Sequence, residues 1–293
     1  MLSPLGPFSL AAASRFGRGF SPSPTAGDDA SMRLTFACEA ANWQTVGVGL
    51  TQPQDDVLLE VAVAGGGDDR GVVAAAAEQC RRILSLDVDG TAFAEIGRRD
   101  DVVRGLQKRY RGLRPVLFPS PYEAAAWAII GQRIRLPQAA AIKTRLAEGL
   151  GERVTVDGVE MVAFPGPARL AELGDVAGLN DVKVQRLRAL GEAALDGRLD
   201  PARLRAGDVG DRLADLERLP GIGPFSAELI LVRGAGEPDH FPRNERRIQA
   251  AMRRAWSLPP SAEIDELAAI TDGWRPFRSW VALLLRRWVE DER

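Results

Sequence analysis

The sequence predicts an α+β protein, with a small α+β domain over residues 1–105 and an all-helical domain over 106–293. Three observations predict it. Apolar, β-branched runs with strand character are confined to the first part, at MRLTFACEA (32–40), TVGVGL (45–50) and VLLEVAV (57–63). From about residue 101 onward the strands stop and apolar residues recur at helical spacing. A chain of 293 residues, 45% hydrophobic and 27% charged, is long and apolar enough for two domains with real cores.

The elements follow in order. SPSPTAGDDAS (21–31) has linker composition, and GGGDD (65–69) is a loop. VVAAAAEQCRRIL (72–84) is apolar at helical spacing and carries Cys80 as a buried, inert thiol. Helices are expected at PYEAAAWAIIGQ (121–132), LPQAAAIKTRLAEGL (136–150), PARLAELG (167–174) and DVKVQRLRALGEAALDG (181–197). More follow at VGDRLADLERL (209–219), GPFSAELILVRG (223–234), NERRIQAAMRRAW (244–256) and PFRSWVALLLRRWVE (276–290). Several open on Pro or Asp and close at Gly, which is start and stop chemistry.

Composition excludes several functions. No stretch approaches the roughly 18 apolar residues of a spanning helix. Two cysteines, Cys38 and Cys80, and the single His240 are one ligand short of a four-ligand Cys/His zinc site and cannot hold a four-thiolate cluster. No metal site is expected. MLSPLGPFSLAAASR has no basic start before its apolar run, and the low cysteine content fits a reducing cytoplasm. Net charge is -2, but its distribution is uneven: residues 98–145 hold 11 basic side chains against Asp100, Asp101 and Glu123. Attraction for phosphate is screened beyond roughly 8–10 Å, so local excess matters more than the sum. A solvated arginine-rich face is the alternative explanation.

The most informative segment is LERLPGIGPFSAELILVRG (216–234). A helix ends at Leu219, Pro220-Gly221-Ile222-Gly223 turns tightly, and a second helix begins near Pro224. Two glycines bring bare backbone to the surface, and the exposed N–H groups of the new helix make an anion site that suits a DNA phosphate. Ile222 plugs the turn into the core.

With this hairpin, the segments AIIGQ (128–132), DHFPRNERRI (239–248) and WRPFRSWVALLLRRW (274–288), in this order and spacing, resemble the helix-hairpin-helix DNA glycosylase superfamily, specifically the DNA-3-methyladenine glycosylase II family. The resemblance covers nearly the whole chain. It implies an antiparallel sheet in the N-terminal domain and a helix-hairpin-helix glycosylase body after it. It also implies extrusion of a damaged base from the duplex and hydrolysis of its N-glycosidic bond, the first step of base excision repair.

Carried over residue by residue, the resemblance assigns Glu245 as the catalytic carboxylate, where the family has aspartate. Glutamate keeps the charge but moves it by one methylene. Arg133 stands where the family fills the gap left by the extruded base; a surface phosphate contact is its alternative. Arg133, Gly221, Ile222, Gly223, Phe225 and Ser226 are assigned to DNA binding. Phe16, Gln132, Phe225, Leu229, Arg246 and Phe277 are assigned to the base pocket, with core packing as the alternative for the aromatics. Relatives that also cleave the strand carry a Schiff-base lysine at the position of Phe225, so a monofunctional enzyme is expected. Asp239 reads as structural, His240 as a solvent-exposed or supporting loop residue, and Asn244 as a helix cap. The arginine pairs 246–247, 253–254 and 286–287 read as solvated faces or phosphate contacts.

The partner implied is duplex DNA with damaged bases, bound by a cytoplasmic monomer, nucleoid-associated in a prokaryote. No organic cofactor is expected; a monovalent cation at the hairpin carbonyls is implied by the resemblance alone. Two other readings remain: a lesion-binding homologue of the same fold with impaired catalysis, and a helical interaction domain with an incidental glycine turn.

Overall fold

The computed structural model describes residues 1–18, 31–66 and 69–292. The expected linker at 21–31 lies outside them except for Ser31, as do two residues of the GGGDD loop.

After helix α1 (Leu10–Arg18), strands β1 (Ser31–Cys38), β2 (Gln44–Thr51) and β3 (Leu58–Val63) form an antiparallel sheet in that order. Period-two patterning sets the register: Met32, Leu34 and Phe36 on β1 are buried, opposite Leu50, Val48 and Val46 on β2. Helix α2 (Arg70–Ile83) starts on Asp69, whose carboxylate accepts from Gly71 N at 2.8 Å, and buries Val72, Ala76, Cys80 and Ile83. Burial pushes the thiols of Cys80 and Cys38 up, consistent with an unreactive pair. Two short helices, α3 (Phe93–Arg99) and α4 (Asp101–Arg109), complete this region.

The helical body runs through α5 (Pro121–Gly131), α6 (Leu136–Leu150), α7 (Pro167–Ala171), α8 (Asp181–Leu195), α9 (Pro201–Arg205) and α10 (Val209–Glu217). Next come α11 (Pro224–Leu229), continued by a π-helical turn over Ile230–Ala235, and then α12 (Arg246–Ala255), α13 (Ile264–Thr271) and α14 (Arg278–Asp291).

The strands do not stop at residue 101. β4 (Arg153–Val156) and β5 (Val159–Val162) form an antiparallel hairpin inside the segment expected to be all-helical. Its turn is Asp157-Gly158, with φ of 48° and 75°, the left-handed pair that a tight hairpin requires. The hairpin lies on β2, where Gly47 and Gly49 leave room for it. A Cβ at Gly47 would sit 2.3 Å from Val156 Cγ2, and Arg33 Nε of β1 donates to Asp157 Oδ2 at 3.0 Å.

The apolar core does not divide in chain order. One buried cluster joins the N-terminal sheet and α1–α4 to Phe241, Ile248, Met252, Trp274, Phe277, Trp280 and Leu284 of the C-terminal helices. A second comprises residues between Phe118 and Ala235, including Ile222 of the hairpin turn. The cleft described next lies where α11 of the second cluster faces α12 and α14 of the first.

Two of the basic residues counted between 98 and 145 are not on the surface. Arg114, 1% exposed, donates to the carbonyls of Pro7, Ser85, Val88 and Leu5 and stacks on Trp280. Lys143 is buried in an ion pair with Glu123 at 3.1 Å. The phosphate-attracting excess is smaller by Arg114 alone, because Lys143 and Glu123 leave the surface as a pair. Among the described residues no helix is long and apolar enough to cross a membrane.

Candidate active site

The hairpin forms as its sequence requires. Asp208 caps α10, and Ile222 N donates to Leu219 O at 3.0 Å, closing the turn. Gly221 adopts φ 89°, and a Cβ there would stand 2.5 Å from Arg186 Cδ, so both conformation and space call for glycine. Ile222 is buried, and Gly223 caps α11 with Pro224 in its first turn. Phe225 projects from the turn at 46% exposure, and Ser226 is half-buried beside it.

A second loop stands against the hairpin. Gln132 ends α5; its amide donates to Gly221 O and its oxygen accepts from Arg186 Nη1 at 2.8 Å. Lys183 Nζ donates to the carbonyls of Ile130 and Gln132 at 2.7 and 2.8 Å; burial first, then Arg186, holds its pKa below the ordinary value. These bonds fix the loop on which Arg133 sits exposed with φ 57°. The carbonyls of Leu219 and Gly221 each accept one hydrogen bond from the protein, and each keeps a second lone pair that a monovalent cation could share. No cluster of His, Cys, Asp or Glu among the described residues could hold a metal ion.

The cleft is walled by Phe225, Glu228, Leu229, Val232 and Arg233 of the hairpin's second helix and its π-helical continuation. Pro242, Glu245 and Ile248 come from the loop and α12, and Ser279, Ala282, Leu283 and Arg286 from α14. Its cavity is about 70 Å³.

Glu245 is 17% exposed. It is itself the N-cap of α12, a role that the sequence suggested for Asn244: Glu245 Oε1 accepts from Arg247 N at 3.1 Å. A carboxylate is favoured there by the helix N-terminus. Oε2 accepts from Arg286 Nη1 at 3.0 Å, and Arg286 Nε donates to Glu290 Oε1 at 2.8 Å. The arginine that holds Glu245 is therefore in the same cleft. Burial and nearby Arg286 push the Arg233 guanidinium down to about 9, still charged at neutral pH; it donates to Val116 O and stacks on Phe16.

The remaining assignments divide. Phe225 and Leu229 line the cleft. Phe277, 2% exposed, packs in the core against Phe93 and Trp280, because α14 turns that face inward. Phe16 is buried and carries the Arg233 guanidinium, a wall of the cleft, over its ring. Gln132 braces the hairpin through Gly221 O. Arg246 points outward from the first turn of α12, as does Arg247. These four are absent from the walls of the cleft. Asp239 holds Arg278 and Arg275 in ion pairs, and the other arginines of the pairs bind carbonyls or carboxylates: Arg253 to Ala262 O, Arg254 to Glu292, Arg287 to Asp291.

Sequence reasoning missed Glu228. Its side chain is 5% exposed on α11, and its carboxylate accepts from Arg243 N and Asn244 N at 3.0 and 2.9 Å, with His240 Nε2 at 3.3 Å. The signal was present: one glutamate in the apolar run FSAELILV.

No family model matches the chain. It is 27% identical to the DNA-3-methyladenine glycosylase of Bacillus subtilis, over 70% of this chain and 69% of that one. It is 29% identical to DNA-3-methyladenine glycosylase 2 of Escherichia coli, over 77% of this chain and 85% of that one. Against a probable bifunctional transcriptional activator/DNA repair enzyme AlkA of Mycobacterium tuberculosis it is 30% identical over 81% of its length, but it spans only 47% of that protein. The 3-methyladenine DNA-glycosylase of Archaeoglobus fulgidus has the same fold, with a TM-score of 0.80 at 18% identity over 99% of this chain and 98% of that one. With the hairpin, the loop at 239–245 and the closing helix α14 in their expected order, the chain is similar over most of its length to DNA-3-methyladenine glycosylases and shares their helix-hairpin-helix fold.

Proposed function

We propose that this protein is a monofunctional DNA glycosylase that hydrolyses the N-glycosidic bond of alkylated purines in duplex DNA and so begins base excision repair. The relatives named for 3-methyladenine support the reaction class. The observation that carries the reading is Glu245: a carboxylate, mostly shielded, in the wall of a cleft that opens beside the glycine hairpin.

The hairpin N–H groups grip a phosphate, and Arg133 fills the space of the extruded nucleotide. The base enters past Phe225 and Leu229. As the bond from C1′ to the base nitrogen breaks, its electron pair leaves with the base and the sugar becomes oxocarbenium-like. Glu245 faces that charge; two unit charges 4 Å apart at an effective dielectric near 20 attract by roughly 4 kcal/mol, about a thousandfold in rate. A water then adds to C1′ and gives up its proton to the Glu245 carboxylate. Lyase chemistry needs a lysine. The chain has three, Lys108, Lys143 and Lys183, and none lines the cleft. The reading needs no organic cofactor.

A second reading, a lesion-binding homologue with impaired catalysis, is favoured by one observation: both oxygens of Glu245 are engaged, by Arg247 N and Arg286. Release of free 3-methyladenine or 7-methylguanine from methylated duplex DNA separates the two. Release by the protein and not by Glu245→Gln supports the enzyme; binding of abasic-site duplex without release by the protein supports the binder.

A further inference from the structure

We infer that Glu228 is a positioning residue that ties the DNA-gripping hairpin to the loop presenting Glu245. The inference rests on the glycosylase reading and goes beyond it, because it concerns how the reactive carboxylate is aimed.

The loop from Pro238 to Glu245 is pinned at two ends by two different elements. Its first half is fastened to α14: Ser279 N donates to Pro238 O at 3.0 Å, Ser279 Oγ donates to His240 O at 2.9 Å, and Asp239 accepts from Arg278 Nε at 2.9 Å. Its second half is fastened to α11 by Glu228. Oε1 accepts from Arg243 N and faces His240 Nε2; Oε2 accepts from Asn244 N. Arg243 and Asn244 are the two residues directly before Glu245, so the Glu228 carboxylate sets where residue 245 begins.

Two backbone donors and the His240 Nε2 atom converge on two oxygens of a side chain 5% exposed. A carboxylate offers acceptor sites on both oxygens, whereas glutamine has one acceptor oxygen and would turn an NH2 toward an N–H. Glu228 is one turn of helix from Phe225 at the mouth of the cleft. A shift of α11 as the hairpin meets DNA would be passed to the loop through this side chain. A misplacement near 1 Å at a reacting group costs on the order of a hundredfold.

The test uses Glu228→Gln, which keeps the size of the side chain, and Glu228→Asp as the variant that keeps the charge. Two duplexes are compared for affinity: one with a neutral tetrahydrofuran site, and one with a pyrrolidine whose cationic nitrogen lies in the sugar ring. Single-turnover base release from methylated duplex is measured beside them. Wild type is expected to prefer the pyrrolidine duplex. Glu228→Gln is expected to lose that preference and about a hundredfold in single-turnover rate, to bind the tetrahydrofuran duplex within about twofold of wild type, and Glu228→Asp to recover part of the loss. Equal preference and rate in Glu228→Gln and wild type would overturn the positioning role alone. A parallel loss of affinity for both duplexes would also overturn it, since that is what general damage to the fold produces. A wild type that neither releases base nor distinguishes the duplexes would overturn the glycosylase reading and this inference together.

Discussion

Arg286 Nη1 lies 3.0 Å from Glu245 Oε2, and both side chains wall the same cleft. The pair accounts for a glutamate at this position. The longer side chain has one more rotatable bond than aspartate, and it is held at two points, by the guanidinium and by the N–H of Arg247. The carboxylate is thus fixed at the wall of the cleft.

Glu245→Asp shortens the arm by one methylene and separates it from Arg286. Both Glu245→Asp and Arg286→Gln are expected to slow single-turnover base release by about ten- to a hundredfold. The double variant is expected to be no slower than the slower single one, because residues in direct contact are coupled. A double-mutant cycle checks this, and strictly additive losses would show that the ion pair does not position the carboxylate.

Gly221→Ala places a Cβ at φ 89° against Arg186. It is expected to cost about 1–3 kcal/mol of stability and to weaken binding of undamaged duplex by displacing the turn. Chemical denaturation and a binding titration measure the two effects separately.

Arg133→Ala removes one exposed cation beside the hairpin. The slope of log affinity against log salt is expected to fall by about one, with the melting temperature unchanged. Binding titrations between 50 and 200 mM salt read the slope.

The last prediction concerns pH. Burial pushes the Glu39 carboxyl up to about 7 in spite of Arg82 at 3 Å or less, and Glu39 Oε1 has no hydrogen-bond partner. A carboxyl whose folded pKa lies above its unfolded value, near 4.3, binds more protons folded than unfolded. Its favourable contribution is therefore present at low pH and is lost as pH rises from about 4 through 7. Glu39→Gln is expected to flatten this slope and to raise the melting temperature at pH 8 but not at pH 4. Thermal melts at the two pH values check it.

Local chemistry made much of the fold legible. Pro220-Gly221-Ile222-Gly223 announces a tight turn before a helix, and the alternating strands fix the sheet. The β4–β5 hairpin was equally written in Val-Asp-Gly-Val, but its strands are too short to stand out among helices. The packing of side chains was less legible. Phe16 and Phe277 are aromatic whether they line a cleft or fill a core, and only the rotation of α1 and α14 decides between them. Glu228 stands out as a lone charge in an apolar run, but its partners are hidden until the loop at 240–244 folds over it, a contact 15 and 16 residues away for Arg243 and Asn244.

Base release from methylated duplex DNA by the purified protein and by Glu245→Gln tests the central proposal most directly. Free methylated purine set loose by the protein, with the amide variant still gripping abasic-site DNA but releasing none, is the expected result. Equal release by the two would contradict it, because the charge on residue 245 would then contribute nothing to breaking the bond.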